Sequence, residues 1–459
     1  MTMPVRLRPL NRWLEPLFAL AVAAGVVRAG VYFYYNDHLP QPFFYEPFDT
    51  WMDWFNTAYW AYETGAYDAW GSVYPPLSFV FLRIFSLSHC YQNASGYAAR
   101  ECDWFGLVTL HSIFLLNIVL LWLTFRKVDR QTAPWRTIAL GLSLPALFGL
   151  ERGNLIVVTF TCCILGFGPL LKSARLRWLA VGMGINFKIY VVAGLFPQLL
   201  RRRWRWFEGA VIATVVVYLV TYAAFGAGSP RQIYDNITYV TGLYQAATFL
   251  ELWYTVTYQP LVSLLTGQTW MVSQIIGSRN VDLLAFWLPL TWRLVQLSIA
   301  IAAFGAWLRP EVVPMHRLTF LGLAMVMITA EPGGYTECIL IFFVFLERWK
   351  GFARCWSIFA SYVLCLPFDI ILDRVPPMIQ ESYLAGHATF FNYYVTLGPF
   401  IRPALVLSLA LALSLLTIRD VWVDIRQQGW RSRWRYRRDV PLLPGVARPV
   451  RPANPAELL

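Results

Sequence analysis

The chain has 459 residues, of which 58% are hydrophobic and only 14% are charged, and its formal net charge is +12. Soluble domains are about 45–50% apolar and about 25% charged, so this composition excludes a soluble enzyme, a disordered protein and a fibrous protein. We predict an all-α integral membrane protein. The arginines occur in short clusters between apolar runs, a pattern that indicates membrane topology and argues against nucleic-acid binding.

The first elements follow from the rule that basic flanks stay in the cytoplasm. Residues 1–13 carry three arginines and no small-residue cleavage site, so we predict a cytoplasmic N-terminus and a retained first helix at about 14–35. Residues 36–103 are polar and aromatic and form a large outside loop. A second helix at about 104–125 returns to the cytoplasm.

Three later sections each have basic residues at both ends and one polar interruption. They cover residues 136–172, 177–201 and 317–350, and we predict three hairpins with cytoplasmic ends and outward polar apices. Their arms are about 10–17 residues long, whereas a full span needs about 20. The apices therefore lie below the membrane surface, where irregular backbone is tolerated only if it lines a cavity.

Four further helices complete the bundle, at about 208–226, 284–308, 355–373 and 396–418. The prediction is about twelve crossings in one membrane domain, residues 14–418, with outside loops at 227–282 and 374–395. The basic and proline-rich tail, residues 419–459, is predicted to be cytoplasmic and to lie on anionic lipid or remain disordered.

Two acids stand out in the first outside loop. Asp49 and Asp53 are four residues apart, so a helix would place both carboxylates on one face. We predict an interfacial helix there, because the acids lie among aromatic residues: Trp51, Trp54, Phe55, Tyr59, Trp60 and Tyr62. Solvated acids are the simpler interpretation, but burial beside rings raises a carboxylate's pKa and suits it to act as a base.

The hairpin apices carry charges that topology does not require. Lys188 is the only lysine outside the cytoplasmic flanks, and it is too far from either end of its hairpin for snorkelling. Arg152 likewise lies at the apex of its own hairpin, far from the cytoplasmic ends. A local ion pair with Glu151 is the alternative interpretation. We predict that Arg152 and Lys188 bind a phosphate, the arginine as a planar fork and the lysine as a point charge.

The third apex contains Pro332-Gly333-Gly334, which predicts a tight turn that brings the backbone close to another group. A plain hairpin turn is the alternative interpretation. Acids that activate a hydroxyl, together with cations that stabilise a departing phosphate, suit transfer from a phospho-activated donor. The polar residues near the apices and the loop are candidates for substrate binding: Asn56, Tyr74, Glu151, Asn154, Asn186, Glu331 and Tyr335.

Cys90 and Cys102 lie together in the first outside loop. If that side is a bacterial periplasm, a disulfide between them is compatible with the compartment, and the sequence leaves the bonded and the free state open. No Cys/His spacing matches a zinc site, so we predict neither a metal nor a cofactor.

These features resemble the GT-C class of integral membrane glycosyltransferases, in particular the polyprenol-phosphate-sugar-dependent family related to mycobacterial mannosyltransferases, glycosyltransferase family 87. The resemblance covers about residues 14–206 and extends more weakly to 350. Its pieces, besides the first-loop acid, are Gly65-Ala66-Tyr67, Tyr74-Pro75-Pro76-Leu77, Gly153-Asn154, and Lys188 with Pro197 before Arg201-Arg202-Arg203.

The resemblance implies a GT-C-like bundle in the bacterial inner membrane, with its active site facing the periplasm. It also implies a first-loop aspartate as general base, a polyprenyl-phosphate-linked sugar donor, a glycan or glycolipid acceptor, inversion at the anomeric carbon and no metal. Membrane lipid is the remaining expected partner. Three departures stand out. The spacing to Gly65 allows either Asp49 or Asp53 to match the first-loop acid of the family. The first apex reads Glu-Arg-Gly-Asn where Gly-Gln is expected. The apex at Glu331 lacks the Ser-Pro and the histidine that family members often carry.

Three alternatives compete with this function. A flippase or transporter of lipid-linked oligosaccharide predicts charges that continue into the cytoplasmic half and symmetry between the two halves, and the sequence shows neither. A polysaccharide polymerase or ligase predicts an outside loop rich in arginine and histidine, whereas the loop at 227–282 has only Arg231 and Arg279. A non-enzymatic scaffold gives no role to Lys188.

Overall fold

A computed structural model describes residues 8–63, 65–92, 95–243, 255–267, 273, 277–330 and 332–430. Helices make up most of this part of the chain, and a few short strands lie near its C-terminal end. In chain order the α-helices are α1 (Arg8–Asn36), α2 (Met52–Tyr62), α3 (Pro76–Ile84), α4 (Gly96–Cys102), α5 (Trp104–Val128), α6 (Ala133–Gly141), α7 (Leu144–Glu151), α8 (Ile156–Phe167), α9 (Ala174–Phe187), α10 (Phe196–Leu200), α11 (Trp204–Phe225), α12 (Pro230–Leu243), α13 (Gln259–Thr266), α14 (Ser278–Leu308), α15 (Met315–Met327), α16 (Glu337–Val344), α17 (Phe352–Leu364) and α18 (Gly398–Gln428).

Five helices in the described ranges, namely α1, α5, α11, α14 and α18, are long and apolar enough to cross a membrane. Their outer surfaces are apolar; on α11, for example, Leu219 and Val220 are exposed. An exposed apolar surface of this length requires lipid as its solvent. The chain is therefore a multi-pass membrane protein, and the total of twelve crossings stays a prediction.

The three predicted hairpins break at their polar apices, as expected. In the first, α7 ends at Glu151 and α8 begins at Ile156. In the second, α9 ends at Phe187 and a 3-10 helix follows at Ile189–Leu195. In the third, a 3-10 helix at Gly334–Thr336 leads into α16. The arms are short helices, and the apex residues Gly153, Lys188 and Tyr335 are buried or half-buried.

Helices α9 and α11 pack closely through small residues. A Cβ on Gly182 would lie 3.0 Å from the backbone of Ala213, and a Cβ on Gly209 would lie 2.6 Å from the ring of Trp178. Small residues allow membrane helices to approach this closely. Because the contact of Trp178 with Gly209 is followed along both helices by that of Gly182 with Ala213, α9 and α11 run in the same direction.

The two first-loop acids are not on one helix, so this prediction is wrong. Asp49 ends a 3-10 helix at Pro47–Asp49, and α2 begins only at Met52. Trp51 lies between them with φ of 64°, a left-handed conformation that interrupts any continuous helix. The rings of Trp54 and Phe55 are fully buried within the protein, so these two do not face the lipid interface.

The predicted helix at 355–373 is too long, and the loop at 374–395 contains strands. Helix α17 ends at Leu364, shortly before Pro367, which cannot donate a backbone hydrogen bond to a continuing helix. The strands form two antiparallel pairs, so the described chain is not strictly all-α. They are β1 (Ile371–Arg374) with β4 (Tyr394–Thr396), and β2 (Met378–Ser382) with β3 (His387–Phe391).

Some arginines that the sequence assigns to cytoplasmic flanks are buried. Arg136 and Arg317 are only 2% and 1% exposed. Arg136 binds Glu15 at 2.8 Å and Arg317 binds Glu347 at 2.6 Å. The partners are distant in sequence, and pairing compensates the burial of each charge. Buried ion pairs therefore occur at segments that the sequence predicts as cytoplasmic flanks.

Candidate active site

The apex of the first hairpin is hydrogen-bonded to the start of α2. The amide of Trp51 donates to the carbonyl of Glu151 at 2.7 Å, and the amide of Asp53 donates to the carbonyl of Arg152 at 3.0 Å. Gly153 has φ of +66°, and a Cβ there would lie 2.7 Å from the carbonyl oxygen of Trp51. Only glycine fits both constraints, so the apex and the first loop form one unit.

Arg152 bridges the two first-loop carboxylates. Its guanidinium donates to Asp49 Oδ2 and to Asp53 Oδ1, both at 2.6 Å. Asn154, from the same apex, donates to Asp53 Oδ2 at 2.6 Å. The exposed fractions of the side chains are 12% for Arg152, 15% for Asp49 and 24% for Asp53. Arg152 therefore binds the acids of the loop rather than its neighbour Glu151.

Helix α4 holds Asp49 from its other side. The hydroxyl of Tyr97 donates to Asp49 Oδ1 at 3.1 Å. Arg100, which is buried, donates to the carbonyls of Phe48 and Thr50 at 2.7 and 2.8 Å. These two carbonyls flank Asp49 in the chain. The sequence analysis did not identify Tyr97 and Arg100. Arg100 could have been found, because the positive-inside rule does not account for an arginine in a predicted outside loop.

A disulfide fixes the end of α4. Cys90 and Cys102 are joined, with their Cα atoms 5.6 Å apart, so the structure contains the bonded state of the two that the sequence left open. The next residue, the buried Asp103, accepts from the hydroxyl of Tyr91 at 2.7 Å and caps α5. His89 lies close to both sulfurs, but bonded sulfurs provide no thiolate for a metal.

Burial and neighbouring charges shift the pKa values of two groups beside the bridge. Burial raises the pKa of the Glu46 carboxyl, Asp49 raises it further, and Arg152 lowers it. Burial also raises the pKa of the Tyr97 hydroxyl, and the Asp49 carboxylate acts in the same direction. Tyr97 therefore stays protonated at neutral pH and remains a hydrogen-bond donor to Asp49.

Lys188 lies at the second apex, directly after α9. Its ammonium donates to the hydroxyl of Tyr74 at 3.2 Å, and lies 4.5 Å from the ring centre of Tyr74 and 5.7 Å from that of Tyr335. The carboxylate of Asp53 is close enough to interact with it electrostatically. The fold thus brings together a loop acid, a loop tyrosine and residues from the second and third apices.

Tyr335 links the third apex to the first. Its ring packs against Phe148 of α7, with 5.9 Å between ring centres. A Cβ on Gly149 would lie 3.5 Å from Tyr335 Cβ. The three apices therefore converge on the first loop. Glu331, the remaining candidate at this apex, lies outside the described residues.

Three other candidates lie in the surrounding packing. Glu151 is buried under the bridge, and its Oε2 has no hydrogen-bond partner among the described residues. Asn56 packs tightly against Gly96 of α4. Asn186 donates its two amide hydrogens to backbone carbonyls of α9 and α11. The contacts of Asn186 join two helices and do not reach the acids.

This arrangement places a negative and a positive centre side by side. The Asp49 and Asp53 carboxylates can accept a proton, and each carboxylate oxygen has more than one acceptor site. Lys188 offers a cation with three donors. The rings of Tyr74 and Tyr335 lie beside this cation. The pair of centres suits a reaction that takes a proton at one point and releases an anion at another.

The family model of glycosyltransferase family 87 matches residues 73–332, which is more than half of the chain. The matched segment contains Tyr74, Arg152, Asn154 and Lys188, whereas the two acids lie on its N-terminal side. Comparison with curated proteins and with solved structures gives no match.

Proposed function

The chain belongs to glycosyltransferase family 87, and from this premise we propose that it transfers a sugar from a polyprenyl-phosphate donor to a hydroxyl of a glycan or glycolipid. Its family and its long apolar helices make it a multi-pass membrane glycosyltransferase. The observation that carries the finer proposal is the Asp49–Arg152–Asp53 bridge beside the cation of Lys188.

The proposed base is Asp53. The acceptor hydroxyl attacks the anomeric carbon and passes its proton to the Asp53 carboxylate as the new glycosidic bond forms. The bond between the anomeric carbon and the phosphate oxygen breaks, and the polyprenyl phosphate leaves with the electron pair. A single displacement of this kind inverts the anomeric carbon. A positioned base of this type contributes about 10²–10⁴-fold to a rate.

Asp53 suits this role better than Asp49. Both carboxylates accept a hydrogen bond at each oxygen, Asp49 from Arg152 and Tyr97, and Asp53 from Arg152 and Asn154. Only Asp49 is also held through its flanking carbonyls, which accept from Arg100. Asp53 is the more exposed of the two acids and the one that interacts with Lys188. We therefore assign Asp49 to holding the Arg152 guanidinium, which in turn orients Asp53.

Lys188 is the proposed partner of the departing phosphate. Its ammonium is held against Tyr74 and Tyr335 by one hydrogen bond and two ring contacts. A fixed cation beside the developing phosphate charge stabilises the transition state more than the ground state. Arg152 was expected to share this task, but its two bonds to carboxylates favour a role as organiser of the acids.

The proposed setting is the periplasmic side of a bacterial inner membrane, with both chain termini in the cytoplasm. The distribution of arginines supports it, because the basic clusters flank the ends of the hairpins opposite the acids. A disulfide in the first loop is compatible with a periplasm. Membership of a glycosyltransferase family favours transfer over the movement of an intact lipid-linked oligosaccharide.

The test is a transfer assay with purified protein in detergent, a radiolabelled polyprenyl-phosphate sugar and a glycolipid acceptor fraction. The same sugar on a nucleotide carrier is the matched control donor. We expect label to pass from the lipid-linked donor only, with the opposite anomeric configuration in the product. Transfer from the nucleotide sugar alone, or a retained configuration, contradicts the proposal.

A further inference from the structure

A groove with arginines on its walls lies at the far end of α9 from Lys188. It is formed where α9 and α11 begin, and its volume is about 600 Å³. Three arginines and two tryptophans line it: Arg175, Trp178, Arg203, Arg205 and Trp206. We name these five residues the basic groove. The 14 residues of α9, at about 1.5 Å each, separate it from Lys188 by about 20 Å.

The charges of the basic groove have no salt-bridge partner among the residues that the structure describes. Arg175, Arg203 and Arg205 are exposed, and none of them forms a salt bridge within 4.0 Å in the described part of the chain. Arg175 and Arg205 lie in the first turns of α9 and α11, and Arg203 directly precedes α11. A helix N-terminus carries a partial positive charge that favours anions and disfavours arginine.

Membrane topology alone does not explain this arrangement. The positive-inside rule requires basic residues on a flank, but it does not require them to converge at two helix N-termini. Arg177, two residues after Arg175, shows how another arginine of this flank finds hydrogen-bond acceptors within the protein. It donates to the carbonyls of Gly166 and Gly168 at the C-terminal end of α8, both at 3.0 Å. Within the described ranges the three groove arginines have no such acceptor, and an anion bound between them would accept their hydrogen bonds.

We propose that the basic groove binds the phosphate group of an anionic phospholipid. Arginine forks match phosphate oxygens, and basic pockets between membrane helices bind anionic head groups. A lipid suits the site better than a soluble anion because apolar side chains of the same two helices are exposed beside it. Leu176, Leu179 and Ile212 are 53%, 45% and 50% exposed, and they offer a surface for acyl chains.

The experiment measures lipid binding to the purified full-length protein by native mass spectrometry. Phosphatidylglycerol and phosphatidylcholine with identical acyl chains are titrated separately, and inorganic phosphate is added as a competitor in a third arm. The test variant combines Arg175→Gln, Arg203→Gln and Arg205→Gln. The control variant combines Arg126→Gln, Arg130→Gln and Arg348→Gln, which removes the same charge from exposed arginines that do not line the groove.

We expect the wild type to bind phosphatidylglycerol in preference to phosphatidylcholine. Each arginine near an anionic lipid contributes about fivefold to binding, so the triple groove variant should bind about a hundredfold more weakly. The control variant should bind as the wild type does. If the triple variant does not fold, Arg175→Gln and Arg205→Gln are tested singly, each with about a fivefold loss expected.

Three results overturn the proposal. Equal binding of the two lipids by the wild type shows that the head-group charge is not recognised. Wild-type affinity in the groove variants shows that the lipid binds elsewhere. Displacement of phosphatidylglycerol by inorganic phosphate at an equal concentration shows that the groove binds free phosphate and not a lipid.

Discussion

Asp53 and Arg152 are joined twice, although 99 residues separate them in the chain. The amide of Asp53 donates to the carbonyl of Arg152 at 3.0 Å, and the guanidinium of Arg152 donates to the carboxylate of Asp53 at 2.6 Å. The first bond satisfies a donor at the start of α2 that the helix itself leaves unpaired. The second orients the carboxylate, so the position of the acid depends on the position of the apex.

Gly153 is the residue on which this junction depends most strongly. Its backbone is left-handed, and a Cβ there meets Trp51 O at 2.7 Å. We expect Gly153→Ala to reduce transfer at least tenfold, because the apex must move away from α2. Gly71→Ala is the matched control, since Gly71 has φ of +59° but nothing within 4 Å of its Cβ position.

The control isolates crowding from backbone strain. Both substitutions cost about 1 kcal/mol for the left-handed conformation, and only the first adds a clash. Transfer rates and thermal unfolding midpoints are compared for the two variants. Equal loss of activity in both contradicts the dependence of the site on the Gly153 contact.

Arg152 must provide two separate donors. Arg152→Lys keeps the charge but lacks the fork that reaches Asp49 and Asp53 together. Loss of one charge-assisted hydrogen bond is worth about 1.5–3 kcal/mol, so we expect transfer to fall about tenfold to a hundredfold. Arg126→Lys, at an exposed position, should leave the rate unchanged. A fully active Arg152→Lys enzyme shows that bridging is not needed.

Lys188 should act on the donor. We expect Lys188→Gln to lower kcat/KM for the polyprenyl-phosphate sugar about 10²–10³-fold, since a fixed cation at the departing phosphate is lost. Lys188→Arg should retain part of the wild-type kcat/KM, because it keeps the positive charge. Lys172→Gln is the control, because Lys172 is exposed at the other end of α9. An unchanged kcat/KM in Lys188→Gln removes the lysine from the mechanism.

The disulfide should support both stability and the placement of Asp49. It closes a loop with a sequence separation of 12, for which chain entropy gives about 3 kcal/mol of stabilisation. We expect Cys90→Ser with Cys102→Ser to lower the free energy of unfolding by about this amount and to reduce transfer, because α4 carries Tyr97 and Arg100. Cys355→Ser, at an unbonded cysteine, should change neither quantity.

The sequence predicts the apices well because their signal is local. A polar run between two short apolar arms identifies Arg152, Lys188 and Tyr335 without any knowledge of packing. The same reasoning fails where a partner is distant in the chain. Arg136 looks like a cytoplasmic flank residue until Glu15 of α1 is found beside it. A buried ion pair between distant residues leaves no pattern in one sequence.

The spacing of the two acids also misleads, for a backbone reason. A separation of four residues predicts one helical face for Asp49 and Asp53, but Trp51 adopts a left-handed conformation between them. In this conformation the amide of Trp51 donates to the Glu151 carbonyl, a contact with a residue distant in the chain. Both acids reach Arg152 all the same, because they approach it from two separate elements.

The measurement that tests the account most directly is the transfer rate of Asp53→Asn from a polyprenyl-phosphate sugar, beside Asp49→Asn and Asp68→Asn. Asp68 lies in the same loop, is exposed and contacts Gln232, so it controls for the loss of one loop acid. We expect Asp53→Asn to lose about 10²–10⁴-fold, Asp49→Asn to lose less, and Asp68→Asn to match the wild type. Wild-type rates in both Asp53→Asn and Asp49→Asn contradict the account.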